Sequence, residues 1–255
     1  MWFLMLLCMM GVLWPSAGHC GDATTSTTTV EKDQSQTVTA YKRNGTNVDL
    51  TVIQDVKVAG SAEAHAEVYD GLEHNVITES GGQSVANIRD GFAGASGIVS
   101  VNQSPGNNNN QGNAVSFSCV EADGGTALMA DGSAQVLNRD NLLEATDMMR
   151  ANVMDRGAFQ DFTGALQINQ SAGNLNNQNN ILCIAAGGHG VVAMTDAALG
   201  QQVAGNTIHE MRVMKQDIIA AGAFNNTSGV VSINQSSGCG NNQTNIIVIS
   251  LQRIR

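Results

Sequence analysis

Three stretches of the chain align with one another without a gap: Gly97–Ser118 (GIVSVNQSPGNNNNQGNAVSFS), Gly164–Ala185 (GALQINQSAGNLNNQNNILCIA) and Gly229–Ser250 (GVVSINQSSGCGNNQTNIIVIS). They share the pattern G-x-x-x-(V/I)-N-Q-S-x-G-x-x-N-N-Q-x-N followed by an alternating apolar arm. Chance does not produce three such copies. A unit of this size cannot bury its own apolar face, so a chain built of copies has to stack them.

The likeness extends upstream through Asn87, Ile88, Asp90 and Phe92, and through Asn152, Val153, Asp155 and Phe159, and degenerates to Asp217, Ile218 and Phe224. The units therefore span 87–120, 152–186 and 217–251, separated by spacers at 121–151 and 187–216 and followed by a tail at 252–255. The spacers are weakly alike as well, ALMAD (Ala127–Asp131) against VAMTD (Val192–Asp196). Residues 31–86 read as a leading spacer or a degenerate unit.

Within each unit the first arm alternates with period two. Val99, Val101 and Gln103 share one face, and so do Leu166, Ile168 and Gln170, then Val231, Ile233 and Gln235. The second arm repeats the pattern with Val115 and Phe117, Leu182 and Ile184, and Ile247 and Ile249. Period two is strand patterning. The Gly-, Asn- and Ser-rich stretch between the arms is turn chemistry, because Gly and Asn tolerate left-handed backbone and Asn and Ser bond neighbouring amides. Pro105 falls in that turn, where a missing backbone donor is harmless.

Copies stacked about 4.7 Å apart place Val on Val and Asn on Asn, and stacked amides donate and accept along the row. Fifteen residues form the predicted ladder: Asn102, Gln103, Gly106, Gln111 and Asn113; Asn169, Gln170, Gly173, Gln178 and Asn180; and Asn234, Gln235, Gly238, Gln243 and Asn245. The charge distribution agrees. Charged residues make up 13% of the chain, about half the globular norm of roughly 25%. No Asp, Glu, Lys or Arg occurs in 91–120, 164–195 or 218–252. In-register stacking would set like charges over one another, which is destabilising. The expected fold is thus mainly β, a cross-β stack or β-solenoid of three strand-turn-strand repeats, with solvated spacers. The spacers admit helix, since Asp140–Met154 puts Leu142, Leu143, Met149 and Val153 near helical spacing, or linkers looped outside the stack.

With Asn102, Gly106, Gln111 and Asn113 and their counterparts in the other two copies, the unit resembles the imperfect repeats of the Fap functional-amyloid subunits of Gram-negative bacteria. Curli repeats are a more distant likeness. The Fap resemblance implies a secreted subunit that polymerises with itself and with other fibril subunits into extracellular cross-β fibrils of a biofilm matrix, after export through an outer-membrane secretion pore. The chain departs from that family's pattern in having no Cys-x-x-Cys near its end.

Met1–Leu13 is an apolar run too short to span a bilayer, followed by Ser16, Ala17 and Gly18; it reads as a signal peptide over 1–18, although no Lys or Arg precedes it. Residues 19–30, with TTSTTT at 24–29, read as a polar, disordered leader. No integral membrane segment is expected in the mature chain.

A net charge of -10, from 12 Lys and Arg against 22 Asp and Glu, excludes a nucleic-acid partner, whose binding rests on clustered positive charge. Of the five cysteines, Cys119, Cys183 and Cys239 occupy different rows of the alignment, so no intramolecular disulfide is expected. His65, His74, His189 and His209 have no metal-ligand spacing, and His209-Glu210 lacks the second His of a zincin helix because Val213 stands there. Nucleophile-elbow, phosphate-loop and calcium-loop patterns are absent. The expectation is a non-enzymatic, cofactor-free fibril subunit. The alternative is a monomeric secreted β-solenoid acting as an adhesin or ligand-binding surface, which needs capped ends.

Overall fold

The computed structural model describes residues 22–30, 34–43, 47–56, 62–120, 127–188 and 192–252. The apolar N-terminal run, Cys20 and His189 lie outside these residues. Among the described residues there is no helix, and hence none long and apolar enough to cross a membrane.

The chain starts with β1 (Asp22–Val30), β2 (Gln34–Arg43), β3 (Asn47–Val56), β4 (Ala62–Glu73) and β5 (Val76–Ile88). The arms of the first copy are β6 (Ser96–Gln103) and β7 (Asn110–Val120), and its spacer forms β8 (Ala127–Arg139) and β9 (Leu142–Met154). The second copy gives β10 (Thr163–Ser171) and β11 (Asn177–Gly187), followed by β12 (Val192–Ala204), β13 (Thr207–Met211) and β14 (Met214–Ile219) from its spacer. The third gives β15 (Ser228–Ser236) and β16 (Asn242–Gln252).

Four sheets gather the equivalent strands, and every pairing is parallel. First arms form β6-β10-β15, and second arms form β1-β3-β7-β11-β16. The spacers supply β2-β4-β8-β12 and a fourth sheet in which β9 lies between β5 on one side and β13 and β14 on the other. Register follows the sequence alignment: Gly164 pairs with Gly97 and Gly229, Asn169 with Asn102 and Asn234, and Gln178 with Gln111 and Gln243. Parallel pairing is what identical segments need in order to set like on like.

Over their described residues, the spacers are therefore neither helices nor loops outside the stack. In β8, Leu128, Ala130, Gly132, Ala134 and Val136 alternate inward. In β9 the residues read as a helical face are split between the two sides of a strand, with Leu143 buried and Leu142 and Met149 not. Leu, Ala, Met and Glu are good helix formers, but intrinsic propensity is a small term that pairing with neighbouring strands overrides. Nor are the spacers simply solvated, since Arg150 and Asn152 are buried in β9. The Thr-rich leader is also ordered in part: β1 pairs with β3 from Asp22–Val48 to Val30–Val56. A strand edge binds through backbone groups, and Thr is a good strand former, so low apolar content does not prevent pairing.

The sheets pack as layers. Val99, Val101, Leu166 and Ile168 of the first arms cover Met154, Ala158, Phe159 and Phe162 from the preceding turns. Phe92, Phe159 and Phe224 stack there nearly flat, 5.2 and 5.3 Å apart between ring centroids. The opposite face, with Ala165, Ile98 and Val230, meets Val115, Phe117, Leu182 and Ile184 of the second arms. The far side of the second arms, with Ala114, Ile181 and Cys183, packs on Ala64, Ala66, Leu128, Ala130 and Val136 of the spacer sheet. A second-arm strand is thus buried on both faces, as parallel strands usually are.

Close approach decides two glycine rows, that of Gly97, Gly164 and Gly229 and that of Gly106, Gly173 and Gly238. A Cβ added to Gly173 would overlap the carbonyl oxygen of Gly238, and one added to Gly106 would overlap that of Gly173. Gly200 has ordinary room, its nearest neighbour being Gln135 Cγ at 3.8 Å. Gly173→Ala is expected to lower urea-unfolding stability by more than about 2 kcal/mol, while Gly200→Ala changes it by less than about 0.5 kcal/mol. Circular dichroism of the two variants side by side checks the contrast.

Candidate functional site

Four rows of side-chain amides run through the molecule perpendicular to the strands. In the first, Asn234 Nδ2 donates to Asn169 Oδ1 and Asn169 Nδ2 to Asn102 Oδ1, both at 3.0 Å. In the second, Asn245 donates to Asn180 (3.1 Å) and Asn180 to Asn113 (3.0 Å). Cross-bonds join these two rows, from Asn113 to Asn102 and from Asn180 to Asn169, each 2.9 Å. The third row runs from Gln235 to Gln170 (2.8 Å) and on to Gln103 (2.9 Å). The fourth runs the opposite way, from Gln111 to Gln178 and from Gln178 to Gln243, each 2.8 Å. The same nitrogens also approach the backbone: Gln178 Nε2 reaches Gln170 O, while Asn180 Nδ2 and Asn169 Nδ2 share their two hydrogens with Ile168 O and Gly112 O as well. All twelve amides of the predicted ladder thus join its rows, and Gly106, Gly173 and Gly238 line the turn where backbones touch.

The middle copy shows how far this goes. Asn176, Asn177, Gln178, Asn179 and Asn180 are five consecutive polar residues, each at 0% exposure. Burying an amide without partners costs several kcal/mol, so such a run survives only where neighbouring copies supply the bonds.

Three further Asn rows were missing from the predicted ladder. Asn109 Oδ1 accepts from Asn176 N (2.8 Å) and Asn176 Oδ1 from Asn241 N (2.9 Å). The same side chains brace the turns, Asn109 Nδ2 reaching Ser104 Oγ and Gly173 O, and Asn176 Nδ2 reaching Ser171 Oγ and Gly238 O. Asn110, Asn177 and Asn242 reach across to carbonyls of the spacer sheet, at Gly71, Leu137 and Gln202. The identity of the N-N-Q triplet in all three copies was the available signal. A third set links the spacers: Asn206 Oδ1 accepts from Asn141 N and Nδ2, and Asn141 Oδ1 accepts from Asn75 N and Nδ2.

Charges, kept out of the arms, do stack in the spacers. His65, Asp131 and Asp196 share one row. His65 Nδ1 lies 3.9 Å from Asp131 Oδ2. Burial raises the Asp131 carboxyl, His65 works against the rise, and Asp196 adds to it. Arg150 and Glu79 form a buried ion pair beside the turns, where Glu79 also accepts from Asn107 and Asn174. Asp217 is raised by burial while Asn152 donates to it. Cys183 and Cys239 are free thiols. Among the described residues, no group of three His, Cys, Asp or Glu converges as a metal site.

Two outcomes are expected. Asn176→Ala strips partners from Gly238 O and Asn241 N and should cost about 3 kcal/mol, against less than about 1 kcal/mol for Asn242→Ala on the half-buried outer strand; urea titration compares them. Burial pushes the Cys183 thiol up to about 12 from its ordinary 9.0. A raised folded-state pKa means the neutral thiol is favoured on folding, so this stability is complete below pH 9 and is lost as pH climbs towards 12. Cys183→Val, matching Val248 in the same row, should flatten the fall in urea midpoint over that range.

The chain matches the functional amyloid protein FapB/FapC family over residues 62–252. No solved structure matches it.

Proposed function

Since the chain belongs to the FapB/FapC functional amyloid family, we propose that it is a secreted structural subunit whose copies add to one another as its internal repeats do, forming extracellular cross-β fibrils of a biofilm matrix. The observation that carries this reading is the set of amide rows, which are in register through the molecule and end without closure at β15 and β16. There, the backbone edges of β12 to β16 have no further strand beside them among the described residues. Such edges template the next chain. The apolar side chains of the outer strands point the same way: Met194, Leu199, Val203, Met211 and Val248 are exposed.

On this reading the ladder residues have no catalytic task. Their amides select register, because a slip by one residue would break the Asn-on-Asn and Gln-on-Gln match in every row. Export through an outer-membrane pore and removal of the N-terminal apolar run belong to the same proposal. One observation favours the rival, a monomeric solenoid used as an adhesin: β1, β2 and β3 cover part of the opposite end.

Refolding the mature chain from denaturant separates the two. Sedimentable fibres with a meridional reflection near 4.7 Å are expected; a soluble monomer without that reflection would sink the fibril reading. Replacing Asn102, Asn169 and Asn234 by Asp stacks three carboxylates in one row and should slow or abolish assembly. Unchanged kinetics in the triple variant would remove the amide rows from the explanation.

A further inference from the structure

One segment of the molecule is in excess of the repeat. Residues from β4 to β16 put three successive levels of strand into every sheet: β4, β8 and β12; β5, β9 and the pair β13 and β14; β6, β10 and β15; β7, β11 and β16. That span, 62–252, is a complete tile, and a second tile placed beyond the first continues all four sheets. Its β4, β5, β6 and β7 would lie against β12, the β13 and β14 pair, β15 and β16 of the first. The strands in excess are β1, β2 and β3. They lie at the opposite end, where β2 pairs with β4 over Gln34–Arg43 and β3 pairs with β7 over Asn47–Val56. These are the two edges that β12 and β16 of a preceding copy would occupy.

The fit of β3 is imperfect where the tile's own fit is good. In the fourth amide row each Oε1 accepts from the copy before it: Gln178 from Gln111, and Gln243 from Gln178. Gln111 is fully buried, and its Oε1 has no hydrogen-bond partner among the described residues. By the repeat, that oxygen faces β3, which sets Asn47 opposite Gln111. Gln243 of a preceding copy would supply the missing donor. Its Nε2 uses one hydrogen on Gln235 O and keeps a second. Charge agrees in the spacer sheet, where the row running His65, Asp131, Asp196 would meet His65 of the next copy beyond Asp196.

We propose that β1, β2 and β3 form a displaceable cap that fills, in the free subunit, the edges of β4 and β7 destined for β12 and β16 of a second copy. The inference rests on the stacking function proposed above. The cap leaves the edges of β12 to β16 open and covers two of the four edges at the other end, those of β4 and β7, so every junction that continues all four sheets requires its release. Release exchanges a pairing that leaves Gln111 Oε1 unpartnered for one that satisfies it.

Asp55 and Cys119 are opposite one another in β3 and β7. Neighbouring strands lie about 4.8 Å apart, within the span a disulfide bridges. In the full chain, Asp55→Cys, oxidised so that the introduced thiol forms a mass-verified disulfide with Cys119, is expected to stop elongation of preformed seeds, and reductant to restore it. Wild type treated with the same oxidant should elongate normally. Val52→Pro, which removes a donor from β3, should elongate faster than wild type without any cross-link. A linked chain that elongates as fast as its reduced form overturns the cap, as does a Val52→Pro chain no faster than wild type. Should every form, wild type included, stay monomeric without the 4.7 Å reflection, the stacking function itself fails and the cap falls with it.

Discussion

A primary amide carries two donors and an oxygen that accepts twice, and repeating it at strand spacing lets each copy satisfy the next. The rest of the structure follows from that condition. Rows of Asn and Gln are stable in the interior only if like residues lie directly over one another. The sheets must then be parallel, the register true to the residue, and the backbone must return to the same place in each copy. Asn169 meets all of these demands at once: its amide reaches Asn102, its oxygen accepts from Asn234 and Asn180, and it is fully buried.

The same condition dictates what the arms exclude. A carboxylate or ammonium in a stacked row would face its own copies in a low-dielectric layer, and none occurs there. A side chain at Gly173 would force adjacent turns apart and break every row at once. Charges persist in the spacers because rows there mix types. Arg139 pairs with Glu73 and Arg212 with Asp147 across neighbouring levels, and His65 lies beside Asp131. The spacers in turn make the arms possible, since Leu128, Ala130 and Val136 cover a second-arm face that would otherwise meet water.

The arms, their alternation, the turn and the pairing of Asn with Asn were legible in the chain, because three aligned copies report directly which residues share a row. The spacers were not. ALMADGSAQV alternates with small residues, Ala130, Gly132 and Ala134, whose inward face is apolar but weakly so, and the stretch from Asp140 to Met154 contains good helix formers. Its strand carries Asp147 with a φ of 56°, and the inward alternation shifts there, which obscures the period of two. Two spacers of differing sequence also lack the repetition that identified the arms. The role of Asn109, Asn176 and Asn241 was obscured for another reason, since a turn residue that bonds its own loop looks the same in sequence as one that bonds the next copy.

By itself, the amino-acid sequence determined the repeat, the in-register arms and the absence of charge from their rows, because like-on-like stacking is a one-dimensional rule readable from an alignment of the chain with itself. Only the tertiary structure decided what covers the arms and what lies at the ends. Which strand covers a face depends on packing between segments of unrelated sequence, so the spacers became sheets and the polar leader became β1, paired with β3 at the end opposite the open edges. Backbone pairing accepts any sequence that can extend, and for that reason β1, β2 and β3 could take a place that the repeat pattern assigns to another copy.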